Sequence, residues 1–211
     1  FNNMEYDFRG NVKYSTMISK LCGFGPRSDF IINVIKNTIA ENPESQMMIL
    51  AHNKNLLKYL HDAIVYQEIA SVGYYIGGMK QSELDKTESK QIVIATYAMA
   101  AEALDIKSLS ILLMATPKTD ITQSIGRILR MKHENPLVID IVDSHDCFQN
   151  QFNTRKRFYK KSEYIIKQIT STEYLQDSNN FITLFDPKNP VKKGKGSGCL
   201  INISRLKDKP K

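Results

Sequence analysis

Five short apolar runs, separated by polar or helix-periodic stretches, most constrain the fold of this 211-residue chain. The first run, residues 47–51, is apolar at every position and predicts a strand buried on both faces. The other runs occupy Ser71–Ile76, Gln91–Ala95, Ser108–Ala115 and Leu137–Val142. Alternation of buried strands with helical stretches predicts an α/β fold, with a parallel sheet flanked by helices on both faces.

Helices are predicted on either side of the first strand. The stretch Asp29–Ala40 is helix-periodic and ends at Asn42-Pro43, where proline disfavours further helix. Its predicted inward residues are Phe30, Ile31, Val34, Ile35 and Ile39. Asn53 follows the strand as a predicted cap of a second helix. The inward residues of that helix are Leu56, Leu57, Leu60, Ile64 and Val65.

The last third of the chain has a different pattern. His145–Glu173 is predicted as one long basic helix that packs an apolar stripe on the sheet. The stripe comprises Phe148, Phe152, Tyr159 and Ile166, and the exposed cations are Arg155, Lys156, Arg157, Lys160 and Lys161. Two short strands, Phe181–Phe185 and Cys199–Ile203, are predicted to form an appended hairpin.

The formal net charge of +7 is unevenly distributed along the sequence. Residues 1–150 carry a net charge of −2, whereas residues 151–211 carry +9. Clustered lysine and arginine attract polyanions through a salt-sensitive field that does not depend on nucleotide sequence. A nucleic-acid surface and a solvated tail are both consistent with this composition.

Composition excludes several classes of protein. A hydrophobic fraction of 42% with 24% charged residues is typical of a globular protein with a core. No apolar run approaches the roughly 18 residues that span a bilayer, and no signal-peptide core is present, so no membrane partner is predicted. The three cysteines, Cys22, Cys147 and Cys199, lack metal-ligand spacing and favour a reducing compartment.

The sharpest local pattern is Gln123-Ser-Ile-Gly-Arg-Ile-Leu-Arg130. On a helix, Gln123, Gly126, Arg127 and Arg130 lie on one face. Two guanidinium groups one turn apart suit a triphosphate, because each can bind phosphate oxygens in bidentate fashion. From these residues alone, a surface helix with exposed arginines is an equally good interpretation.

A second pattern, Thr96–Ile106, lies upstream of the arginine pattern. Thr96 comes at the carboxyl end of a predicted buried strand, where open α/β sheets bind ligands. Its hydroxyl suits a nucleic-acid phosphate, and the Asp105 carboxylate suits a ribose hydroxyl or a neighbouring arginine. Taken singly, Thr96 is also a plausible helix cap and Asp105 a plausible loop residue.

Together these segments resemble the C-terminal RecA-like domain of superfamily 2 helicases and translocases. Met48–Lys54 resembles motif IV, Thr96–Ile106 motif V and Gln123–Arg130 motif VI. The subgroup resembled includes phage recombination helicases, the helicase subunit of transcription-repair factors and transcript-release helicases of large cytoplasmic DNA viruses, most closely a poxvirus-like or asfarvirus-like member. The resemblance divides the chain into an N-terminal extension (1–27), a RecA-like domain (28–145) and a basic helix with hairpin and tail (146–211).

The resemblance also implies roles for residues. Arg130 would be the arginine finger toward the γ-phosphate, assisted by Arg127 and Gln123, with Asp105 and Gly126 beside the nucleotide. The nucleic-acid backbone would contact His52, Asn53, Gly77, Gly78, Lys80 and Thr96, extended by the basic residues Arg155, Lys156, Arg157 and Lys160. The chain departs from motif V at Ala103, where the family usually has glycine.

The sequence contains neither a G-x-x-x-x-G-K-[ST] loop nor an acidic DExH or DEAD segment. This chain alone is therefore predicted to lack ATPase activity, with ATP and Mg²⁺ bound mainly by a preceding RecA-like domain. The predicted partners are that domain, DNA or RNA, and the transcription machinery, in the host cytoplasm or the virion. Two alternatives remain open: a RecA-like or flavodoxin-like module that binds nucleic acid without turnover, and a nucleotide-binding or interaction domain.

Overall fold

The five apolar runs form the five strands of one parallel sheet. The computed structural model describes residues 4–102, 106–122, 136–176 and 180–189, with the backbone alone for Glu102. The strands of the sheet are β1 (Gln46–Ala51), β2 (Val72–Tyr75), β3 (Ile92–Thr96), β4 (Leu109–Met114) and β5 (Leu137–Asp140). Their order across the sheet is β2-β3-β1-β4-β5, and every neighbouring pair is parallel. The α/β architecture predicted from the alternating pattern is confirmed.

The described helices surround this sheet in sequence order. They are α1 (Tyr14–Cys22), α2 (Gly25–Glu41), α3 (Lys54–Tyr66), α4 (Gln81–Glu88), α5 (Tyr97–Glu102), α6 (Asp146–Lys161) and α7 (Ser171–Leu175). Strand β1 is central and buried along its whole length, which accounts for its lack of polar alternation. None of the helices in these ranges combines the length and apolarity needed to cross a bilayer.

Helix α2 begins four residues earlier than its apolar pattern predicts. Pro26 lies in its first turn, where a fixed φ suits the helix and the missing N–H costs no hydrogen bond. The extra turn brings Arg27 into a buried position. The predicted end before Asn42-Pro43 is confirmed.

Helix α1 packs against the beginning of α6. Met17, Ile18 and Leu21 form a buried cluster with Phe148, and the rings of Tyr14 and Phe148 meet edge to face with centroids 6.1 Å apart. This N-terminal helix therefore contacts a helix more than 120 residues later in the sequence.

The long helix predicted over His145–Glu173 is wrong beyond Lys161. Glu163 adopts a left-handed conformation (φ 60°), Glu163 N–H donates to Lys160 O, and Tyr164 N–H donates to Tyr159 O. This is a Schellman end, in which apolar contact accompanies the two backbone bonds. The rings of Tyr159 and Tyr164 supply that contact, with centroids 6.1 Å apart.

The described residues divide into two compact units, with the boundary between Phe158 and Tyr159. In the second unit, β6 (Ile166–Gln168) pairs antiparallel with β7 (Ile182–Phe185). The predicted strand at 181–185 is confirmed, but its described partner is β6. The expected partner, Cys199–Ile203, lies outside the described residues.

A buried ion pair joins β5 to α6. The Arg155 guanidinium donates from Nε and Nη2 to the two Asp140 carboxylate oxygens at 2.7 and 2.8 Å. The Arg155 side chain has no exposed surface, so the predicted exposure of this residue is wrong. The acid at the end of β5 draws the guanidinium inward, whereas Arg157, two residues later, is exposed.

We expect Arg155→Ala to lower the free energy of unfolding by about 3–5 kcal/mol, because the Asp140 carboxylate loses its bidentate partner in a buried setting. Urea denaturation with far-UV circular dichroism measures this change. Arg157→Ala on the same helix is the matched control and should change stability by about 0.5 kcal/mol or less. Equal effects of the two substitutions would contradict this account.

Candidate functional site

The carboxyl ends of the central strands bring several predicted site residues to one edge of the sheet. Ala51, immediately before His52, lies in register with Thr96, and Leu50 lies in register with Met114. His52, Thr96 and the residues after β4 therefore follow three adjacent parallel strands. This edge is where α/β sheets bind ligands.

The His52 ring packs against residues that follow the two neighbouring strands. Its Nδ1 lies 2.9 Å from the Thr116 hydroxyl, and the His52 backbone N–H donates to the same oxygen at 3.0 Å. The ring centroids of His52 and Tyr97 are 4.7 Å apart. Because the hydroxyl oxygen accepts the backbone N–H, its own proton is available for Nδ1, an arrangement that suits a neutral imidazole.

Lys118 places a positive charge beside this aromatic pair. Its Nζ lies 4.8 Å from the centroid of the Tyr97 ring, within the range of a cation–π interaction. His52 retains an exposed edge, but burial of its other side lowers the pKa of the imidazole, and the Lys118 charge lowers it further. The edge thus presents a neutral histidine next to a lysine cation.

Two residues predicted to contact nucleic acid are helix caps. The Asn53 side-chain oxygen accepts from Asn55 N–H at 2.8 Å and from Leu56 N–H at 3.1 Å, so its predicted capping role is confirmed. The Thr96 hydroxyl accepts from Met99 N–H at 3.4 Å at the beginning of α5. Both residues lie at amino ends of helices, where backbone N–H groups favour anions.

The Gly77-Gly78-Met79-Lys80 turn follows β2, the next strand along the edge. Gly78 has φ of 93°, a conformation that favours glycine, and is exposed together with Gly77 and Lys80. A β-carbon on Gly77 would lie 3.8 Å from Met99 Sδ, so the turn lies close to α5. The turn and the Thr96 cap are therefore neighbours.

The segment after β4 is held by an arrangement that sequence reasoning missed. Each of the four consecutive carbonyls of residues 115–118, the 115–118 loop, accepts a hydrogen bond from a side chain on a different helix. The bonds run from Arg27 Nη1 to Ala115 O (2.9 Å), Tyr97 OH to Thr116 O (2.6 Å), Tyr14 OH to Pro117 O (2.9 Å) and Arg155 Nη1 to Lys118 O (2.7 Å). No periodic pattern announces these contacts, because their partners are as much as 103 residues apart.

Bidentate ion pairs orient both arginines that contact the loop. Arg27 donates from Nε and Nη2 to Asp143 at 2.6 and 2.8 Å, in the same way that Arg155 binds Asp140. Both guanidinium groups are buried. The acid at the end of β5 and the one three residues beyond it thus aim two arginines at carbonyls that follow β4.

The residues predicted to act on the nucleotide, Gln123, Gly126, Arg127, Arg130 and Asp105, lie outside the described residues. Within the described ranges, no group of three or more His, Cys, Asp or Glu side chains could hold a metal ion. The described part of the chain therefore offers no Mg²⁺ site of its own.

Helix α6 presents some of its predicted cations to solvent. Arg157 and Lys160 are exposed, and Lys156 is half-buried with Nζ 5.9 Å from the Phe152 ring centroid. Arg155 points to Asp140 and the 115–118 loop, so it is unavailable for the nucleic-acid contact predicted for it.

Curated proteins similar to this chain come from large DNA viruses. The chain is 35% identical over 200 residues to "Putative ATP-dependent RNA helicase L396" of Acanthamoeba polyphaga mimivirus, covering 92% of this chain and 37% of that protein. It is 27% identical over 153 residues to "Putative ATP-dependent RNA helicase QP509L" of African swine fever virus, covering 68% and 30%. The chain thus spans about a third of the length of these relatives. No family model matches it.

Solved structures with a similar fold include two helicase proteins. T4 UvsW has a TM-score of 0.59 at 19% identity, covering 72% of this chain and 36% of that chain. The C-terminal domain of S. cerevisiae Dbp5, solved with Gle1 and IP6, has a TM-score of 0.55 at 18% identity, covering 72% and 89%. These likenesses confirm the predicted RecA-like α/β fold.

We expect the pKa of His52 to lie below the ordinary histidine value of about 6.5 and to rise, without fully recovering, in Lys118→Gln. Burial, the larger cause, remains in that variant, and NMR titration of the ring protons measures both values. Because the folded state binds fewer protons than the unfolded state, His52 should reduce stability as pH falls through the unfolded value. Lys36→Gln on the exposed side of α2 is the control, and an identical His52 pKa in both variants would refute the Lys118 contribution.

Proposed function

Because the chain is a homologue of viral proteins named as ATP-dependent RNA helicases and has the RecA-like fold of a helicase C-terminal domain, as its motifs predicted, we propose that it is the C-terminal motor half of an ATP-dependent superfamily 2 helicase or translocase. The observation that carries this proposal is the sequence Gln123–Arg130 following β4 of that fold. In the proposed role, the chain supplies motifs IV, V and VI.

On the nucleotide side, we assign Arg130 as the arginine finger toward the γ-phosphate. Arg127 and Gln123 assist it, while Gly126 permits close approach and Asp105 contacts the nucleotide edge. Guanidinium groups stabilise the charge that develops on phosphoryl oxygens during transfer, and they do so without a change of protonation. The chemistry asked of this chain is therefore electrostatic, and its requirement is accurate placement.

The rest of the nucleotide site belongs, in this proposal, to a preceding RecA-like domain. That domain supplies the phosphate-binding loop and the acidic residues for Mg²⁺, neither of which has a counterpart in the printed sequence. ATP then binds between two domains, and hydrolysis opens and closes the pair. The relatives exceed this chain about threefold in length, which leaves room for such a domain.

On the nucleic-acid side, we assign the strand-end edge of the sheet and the exposed face of α6. His52, Asn53, Thr96 and the Gly77–Lys80 turn supply backbone N–H groups, hydroxyls and a cation close together. Lys156, Arg157 and Lys160 extend the track, together with the basic residues of 187–211. The substrate is DNA or RNA, and we place the protein in a reducing viral setting, in contact with transcription machinery.

In the protein that joins this chain to its ATP-binding domain, we expect Arg130→Ala to lower nucleic-acid-stimulated ATP turnover by about a thousandfold, the usual magnitude for an arginine finger. Phosphate release measures the rate. Arg9→Ala, at an exposed arginine near the amino end, is the control and should retain full activity. ATP turnover by this chain alone that disappears with Arg130→Ala would overturn the two-domain arrangement.

We expect removal of residues 187–211 to weaken single-stranded nucleic-acid binding and flatten its salt dependence. Each lost phosphate contact reduces the slope of log affinity against log salt by about 0.7. Fluorescence anisotropy at two salt concentrations measures both quantities. A full-length variant with the lysines and arginines of this segment changed to glutamine separates charge from length, and unchanged affinity and slope in both variants would exclude the segment from the track.

A further inference from the structure

We propose that Tyr14, Arg27, Tyr97 and Arg155 are positioning residues for ATP hydrolysis, because they hold the 115–118 loop from which the arginine pattern departs. This inference rests on the proposed function, and it assigns a role to residues outside the helicase motifs. Three of the four hydrogen bonds come from α1, α2 and α6, which flank the RecA-like sheet.

The physical requirement is placement of the Arg130 guanidinium. An arginine finger acts through geometry, and a displacement of about 1 Å can cost a hundredfold in rate. The loop that leads to it would ordinarily satisfy its carbonyls with water and remain mobile. Here four successive carbonyls each have a side-chain donor at 2.6–2.9 Å, so the loop has a single arrangement.

The hold continues to the last described residue before the pattern. Gln151 Nε2 donates to the Thr119 hydroxyl at 2.9 Å, and the Asp120 carboxylate accepts from Thr122 N–H at 3.0 Å. Ile121 is buried. Every residue from 115 to 122 except Pro117 and Lys118 is thereby exposed little or bonded through its own backbone or side chain, and the latter two are bonded through their carbonyls.

The two tyrosines separate this role from general packing. Each contributes one hydroxyl to the loop, and substitution by phenylalanine removes that hydroxyl while leaving the ring in place. Tyr14 keeps its edge-to-face contact with Phe148, and Tyr97 keeps its contact with His52. A merely structural role would lower stability and leave turnover per folded molecule unchanged.

The test uses Tyr14→Phe/Tyr97→Phe in the protein that joins this chain to its ATP-binding domain. We expect kcat for nucleic-acid-stimulated ATP hydrolysis to fall about tenfold, with KM for ATP and the Kd for single-stranded nucleic acid changed by less than about twofold. Hydrogen exchange of residues 119–130 should accelerate in the same variant. Tyr59→Phe/Tyr66→Phe is the matched control, since Tyr59 also loses a hydroxyl hydrogen bond, to Asp29, far from the loop in sequence.

The outcomes distinguish this inference from the proposed function. Loss of turnover in Arg130→Ala with unchanged kcat in the tyrosine variant overturns the positioning role and leaves the arginine finger standing. Full turnover in Arg130→Ala overturns both. If the double variant melts below the assay temperature, Tyr14→Phe alone replaces it, because that hydroxyl is only half-buried; an unchanged kcat there likewise overturns the positioning role.

Discussion

The need to satisfy the backbone carbonyls after β4 organises much of the described structure. A buried carbonyl without a partner costs free energy comparable to a lost hydrogen bond. The chain meets this cost four times in succession with side chains from four helices. Since two of those side chains are buried arginines, two aspartates must accompany them, and the positions of α2 and α6 follow from these ion pairs.

The fold was predictable because it depends on a strong local signal. Residues 47–51 and the four later apolar runs are buried strands, and a sheet buried on both faces has no polar alternation to confuse the pattern. The viral helicase homology followed from the order of three short motifs. Capping by Asn53 was predictable for the same reason, because a cap and its helix are adjacent in sequence.

The misjudged features depend on distant partners or on backbone geometry. Arg155 lies in a basic helix and was predicted to be exposed, yet Asp140 at the end of an apolar strand neutralises it. The helix beyond Lys161 had suitable periodicity, but a left-handed Glu163 ends it, and periodicity carries no information about φ. The role of Tyr14 had no signal at all, since its partner Pro117 is 103 residues away.

The sequence separation within the 115–118 loop's contacts also has a consequence for biosynthesis. Its donors lie at residues 14, 27, 97 and 155, so the final bond can form only after α6 has left the ribosome. The strands can pair earlier, while the loop still lacks Arg155. A nascent chain therefore carries the nucleotide-binding sequence before it carries the means to fix it, and productive assembly waits for synthesis of the basic helix.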